Sequence, residues 1–161
     1  MEPRRGDILL YSGRSPVSHA IKKVIGCEWS HGAWVLDAGA ETILESDWRG
    51  VRVSKNKYAK NRTKILRINA PIIDVERAVT HAESQTGGKY DHKALFGMLW
   101  LFLTFQRENK EPWQRHKAWF CFELISVPLA RFGFIFNNKI PPRGITSKEM
   151  ISCAKVRSID Q

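Results

Sequence analysis

Residues 118–125 read Ala118-Trp119-Phe120-Cys121-Phe122-Glu123-Leu124-Ile125, an aromatic run that hands over to a helix at a cysteine. The first turn of a helix carries unpaired backbone N–H groups and the positive end of the helix dipole. Both stabilise an anion, so a thiolate is favoured at Cys121. A partner stands upstream in Ser30-His31-Gly32-Ala33-Trp34-Val35, where His31 opens a strand-like segment. Cysteine and histidine in this relation read as nucleophile and base of a cysteine hydrolase.

Working outward, the 161 residues, 43% hydrophobic and 26% charged, lead us to expect one domain spanning 1–161 with a core that needs no staples. Cys27, Cys121 and Cys153 cannot all pair with one another, and no zinc-ligand spacing is present, so neither metal nor organic cofactor is expected. The N-terminal Met1-Glu2-Pro3-Arg4-Arg5-Gly6-Asp7 lacks the apolar stretch of a secretion signal, which makes the cytoplasm the expected location. The apolar run Ala94–Phe105 is shorter than the roughly 20 residues of a membrane span. It reads first as a buried helix and second as an interfacial segment between Lys93 and Arg107, with Trp100 and phenylalanines suited to a lipid surface or an acyl chain. Lys and Arg outnumber Asp and Glu 26 to 16, giving a net charge of +10. The positive charge is scattered, and its densest cluster, Lys55–Lys64, reads as an exposed loop. Nucleic-acid binding is therefore not expected, while an anionic or lipid surface stays open.

Periodicity supplies the elements. Asp7–Ser12, His31–Leu36, Thr42–Asp47, Gly50–Val53 and Lys64–Ile68 read as strands. Pro16–Ile25 reads as a helix capped by Ser15 and stopped by Gly26, and Ile72–Gln85 as a second that ends at Gly87-Gly88. Gln106–Lys117 reads as a loop, the Cys121 helix runs towards Phe132 past Pro128, and Thr146–Cys153 closes the pattern. The fold class is α+β, a small antiparallel sheet packed against helices. Alternation puts His31, Ala33 and Val35 on one face, and Ile43, Glu45 and Asp47 on one face of the next strand. A carboxylate can thus lie beside the histidine.

The ordered set Gly6-Asp7-Ile8-Leu9-Leu10, Ser30-His31-Gly32, Leu44-Glu45 with Gly50-Val51, Gly88-Lys89-Tyr90-Asp91 and Cys121-Phe122-Glu123-Leu124 resembles the circularly permuted papain-like hydrolases. These are the permuted branch of the NlpC-type superfamily, with the YiiX-like proteins and, more distantly, lecithin retinol acyltransferase. The resemblance implies a permuted papain-like fold in which the histidine precedes the cysteine. It also implies Cys121 as nucleophile, His31 as base and then acid, and Glu45, or Asp47 on the same strand face, as the group that orients the ring. Phe122 stands where that family commonly has serine.

The backbone N–H of Cys121 suits an oxyanion, and Tyr11 or Tyr90 could add a donor or hold substrate. Cys27 and Cys153 read as small buried hydrophobes. His19, His81, His92 and His116 read as surface or supporting residues, and Glu123 as a partner of the helix N-terminus. The expected substrate is a peptide, a peptide conjugate or another acyl compound, cleaved through an acyl-enzyme. Transfer of the acyl group, to a lipid or other acceptor, on the same site is one alternative, and a basic module that binds nucleic acid or anionic lipid, with a structural thiol, is another.

Overall fold

Alternating apolar residues in the first half of the chain build a sheet with two unlike faces. The computed structural model describes residues 2–104 and 118–159. Strands β1 (Ile8–Tyr11), β2 (His31–Val35), β3 (Thr42–Asp47), β4 (Gly50–Lys55), β5 (Thr63–Ile68) and β8 (Val156–Ile159) form one antiparallel sheet in the order β4-β3-β2-β1-β5-β8. Helices α1 (Pro16–Ile25), α2 (Ile72–Glu83), α3 (His92–Leu103), α4 (Glu123–Arg131) and α5 (Ser147–Ser152) complete the α+β architecture. Two-residue strands β6 (Lys89–Tyr90) and β7 (Ala118–Trp119) pair in parallel beside the entrance to α4. The expected loop at Gln106–Lys117, with His116 in it, lies outside the described residues.

One sheet face, with Ile8, Leu10, Trp34, Leu44 and Leu66, packs into the main core with Val79 of α2, Ile125 and Leu129 of α4, and Phe122 just before α4. The other carries a smaller apolar strip, Leu9, Ala33, Val35, Ile43 and Ile65, joined by Tyr11 and Tyr58. Register decides which polar groups share that second face: Tyr11 is opposite His31, Ala33 opposite Glu45, and Glu45 opposite Arg52. His31 is therefore a diagonal neighbour of Glu45 across β2 and β3.

The helix caps follow the sequence. Ser15 Oγ accepts the Ser18 N–H at 3.1 Å, and Gly26 closes α1 with φ at +67°. In α4, Pro128 removes the N–H that would bond the Leu124 carbonyl one turn back. That carbonyl is buried, and the Trp34 indole N–H donates to it at 3.0 Å. The substitute bond ties the Cys121 helix to β2. Contact there is close because Gly32 has no side chain: a Cβ at that position would lie 3.0 Å from both Ile125 Cδ1 and Phe122 Cδ1.

Three expectations change. The helix over the apolar run is not buried on all sides: α3 inserts Ala94, Leu95 and Leu101 and leaves Phe96, Trp100 and Leu103 exposed, because the body of the protein covers only one of its faces. Cys27 and Cys153 are half-buried against the core's edge. The basic Lys55–Lys64 segment exposes most of its lysines but turns Tyr58 inward. Strand β8 escaped notice because it is a four-residue edge strand whose central Arg157 and Ser158 face solvent.

Replacing Trp34→Phe leaves the Leu124 carbonyl buried without its donor and is expected to cost about 1–3 kcal/mol, beyond any loss of packing. Pro128→Ala restores a helical donor to the same carbonyl. In denaturant unfolding the Trp34→Phe/Pro128→Ala double variant is expected to be more stable than the sum of the single changes predicts, and strict additivity would remove this account of α4.

Candidate active site

The turn Phe120-Cys121-Phe122 precedes α4, so Cys121 stands two residues before the helix proper. This turn is capped from within: Glu123 Oε2 accepts the Phe120 N–H at 3.1 Å, and the Leu124 N–H returns to the Phe120 carbonyl at 3.0 Å. Arg143 pairs with the other oxygen of Glu123. Glu123 is therefore a structural partner of the helix entrance and stays away from the imidazole. No protein group among the described residues accepts a hydrogen bond from the Cys121 amide.

His31 begins β2 and brings its ring to Cys121. Its Nε2 lies 3.0 Å from Glu45 Oε2, which leaves Nδ1 for the thiol side. Burial opposes charge on this imidazole, but hydrogen bonding and charge at Cys121, followed by those at Glu45, prevail and raise its pKa to about 10. The charged form of the ring is thereby favoured beside the Cys121 sulfur.

Glu45 is the hub of this arrangement. Besides His31, its Oε2 accepts the Tyr58 hydroxyl at 2.6 Å; its Oε1 accepts Arg52 Nη2 at 2.7 Å and the Ser54 hydroxyl at 2.8 Å. Burial alone would raise the carboxyl pKa, yet the bonds from His31, Tyr58 and Ser54 hold it at about 2. Asp47, the other candidate, pairs instead with Arg49 and Arg52 at 2.9 Å each. Of the two strand carboxylates, Glu45 is the one that touches the ring.

Tyr11 and Tyr90 both line a cleft of about 530 Å³ that opens on His31 and Cys121. Tyr11 stacks on Tyr58 with centroids 4.1 Å apart. Tyr90 is held as a neutral phenol by burial and then by charge at Cys121, and its ring meets His92 at the cleft and Phe120 behind it. His19 lies on the surface of α1 and His81 on α2, away from the cleft. Sequence reading missed Tyr58, Ser54 and Arg52. Arg52 becomes legible once β3 and β4 are in register, whereas Tyr58 sits in a lysine-rich connection with no pattern to single it out.

No family model and no curated protein sequence matches the chain. Among solved structures it is similar to the metalloprotein YiiX from Escherichia coli, at 15% identity and a TM-score of 0.60, over 99% of this chain and 97% of that one. The chain has a YiiX-like fold.

Both shifts carry a pH signature. Glu45, depressed to about 2, stabilises the folded state above its unfolded value of about 4.3 and loses that contribution as pH falls towards 2. His31, raised to about 10, contributes fully below about 6.5 and loses that contribution as pH rises through 10. In ring-nitrogen NMR titrations, His31 is expected to remain protonated well above the ordinary imidazole value of about 6.5. Its midpoint is expected to fall in Glu45→Gln and again in Cys121→Ala. A His31 midpoint that ignores both changes would separate the ring from its two neighbours.

Proposed function

We propose that this protein is a thiol hydrolase of the permuted papain-like, NlpC-type kind, which cleaves an amide, peptide or related acyl bond. The observation that carries the reading is the line Cys121–His31–Glu45, with sulfur on one side of the imidazole and a fully bonded carboxylate on the other. His31 preceding Cys121 in the chain, with the cysteine at a helix entrance, supports the permuted arrangement.

In this mechanism Cys121 Sγ attacks the substrate carbonyl carbon. The carbonyl π electrons move to oxygen, which lies against the Cys121 amide. Collapse of the tetrahedral intermediate breaks the bond to the leaving group, which takes the Nδ1 proton of His31. Water then enters, gives a proton back to Nδ1 and attacks the thioester carbonyl. Expulsion of sulfur releases the acid. Glu45 keeps Nε2 protonated and so fixes the tautomer that both halves require.

YiiX is named as a metalloprotein, but the residues here do not fit a metal centre. Both Glu45 oxygens are already taken by four donors, and among the described residues no group of three or more His, Cys, Asp or Glu side chains is placed to hold an ion. The steps above involve only the chain's own side chains and water.

A second reading, acyl transfer, shares every step up to the thioester. It is favoured by the burial of Cys121, 2% exposed, in a cleft walled by Val17, Ile21, Leu95 and Phe96, which disfavours water as the acceptor. Labelled acyl group on an added amine or alcohol, rather than free acid, would select it.

Incubation with activated acyl esters is expected to leave an acyl adduct on the Cys121 peptide, seen by mass spectrometry and absent in Cys121→Ala. Turnover is expected to fall by about 10²–10⁴-fold in His31→Ala. Ester turnover unchanged in Cys121→Ala would leave the basic binding module with a structural thiol as the better account.

A further inference from the structure

Helix α3 carries an exposed strip that the core does not use. Phe96, Trp100 and Leu103 recur at helical spacing on one face and are 54–64% exposed, while Ala94, Leu95 and Leu101 on the opposite side are buried. Phe96 also lines the cleft that reaches Cys121, and so do Val17 of α1 and Trp48 of the β3–β4 turn, the latter 76% exposed. The strip and the cleft mouth are thus one continuous apolar surface. A patch of this kind on a folded chain marks an interaction site.

Charge identifies the occupant. Exposed cations lie one to three residues from each rim position: Arg14 before Val17, Arg49 after Trp48 and Lys93 before Phe96. Arg49 packs over the Trp48 ring at 5.2 Å. The cleft lining holds one carboxylate, Asp47, and it is already paired with Arg49 and Arg52. An apolar centre of tryptophan, phenylalanine and leucine with a cationic border, on a chain of net charge +10, matches the interface of an anionic bilayer. No helix among the described residues is long and apolar enough to cross a membrane.

We infer that the exposed face of α3, with Val17 and Trp48, docks this protein on the surface of an anionic membrane with the Cys121 cleft facing the lipid. The face lies on the bilayer, with apolar side chains at the level of the headgroups and the cations over anionic phosphates. Docking requires no turnover. That the acyl group then enters the cleft from the membrane rests on the thiol-enzyme reading above.

The test uses the full chain and its Cys121→Ala variant with vesicles of phosphatidylcholine alone or mixed with phosphatidylglycerol. Both proteins are expected to sediment with the mixed vesicles, less so as salt rises, and far less with phosphatidylcholine alone. Lipids brominated near the headgroup end of the chains are expected to quench tryptophan fluorescence, with the quenching largely lost in Trp48→Phe/Trp100→Phe. The triple variant Phe96→Ser/Trp100→Ser/Leu103→Ser is expected to lose most vesicle binding at an unchanged thermal midpoint. Sedimentation that survives the triple change overturns the proposal. A parent that binds no vesicle overturns it too, whether or not it forms a dimer that the triple variant abolishes. Because Cys121→Ala must bind as well as the parent, failure of docking and failure of catalysis are read separately.

Discussion

One hydrogen bond sets the position of everything else in the site: the Trp34 indole N–H on the Leu124 carbonyl. Proline at position 128 deprives that carbonyl of its helical donor, and burial denies it water. The indole satisfies the vacancy from the neighbouring sheet strand, so α4 is held at the separation that Gly32 permits. The strand that supplies this bond also supplies His31, and the turn that opens the helix supplies Cys121. Backbone satisfaction and the placement of Cys121 and His31 are therefore one problem with one solution.

Around the ring, charges are arranged in alternation. From the Cys121 sulfur outward, the imidazole, the Glu45 carboxylate and the Arg52 guanidinium follow in order, these last three alternating in sign. A buried carboxylate with one partner would be costly. Glu45 has four, which makes its ionised state compatible with 3% exposure and gives the imidazole a fixed hydrogen-bond acceptor. Tyr58 binds the network to the second face of the sheet by stacking on Tyr11 while donating to Glu45.

The sequence made visible those parts that depend on local periodicity. Strands β1 to β5, helices α1 and α2, the Ser15 and Gly26 caps and the helix after Cys121 follow from residue spacing and agree with the structure to within a few residues. Cys121, His31 and Glu45 were legible because a helix entrance, a strand start and strand alternation are local features. What stayed hidden depends on tertiary placement. Nothing in Lys55–Lys64 distinguishes Tyr58 from a solvated side chain until the segment folds back over β3. The apolar run of α3 is uniformly hydrophobic, so periodicity could not show that Phe96, Trp100 and Leu103 would face outward. The choice between Glu45 and Asp47 turned on the diagonal contact of Glu45 with His31 across β2 and β3, which alternation alone does not fix.

The central claim, that His31 activates Cys121, is tested most directly by the rates at which the three cysteines react with iodoacetamide across pH, resolved by mass spectrometry in the parent and in His31→Ala. Exposure alone favours Cys27 and Cys153, which are half-buried, over Cys121, which is buried. The account predicts the reverse order, with Cys121 labelled first at neutral pH and below, and that lead lost in His31→Ala while the other two rates stay put. Labelling that follows exposure in both proteins would contradict it and return Cys121 to the core as a structural thiol.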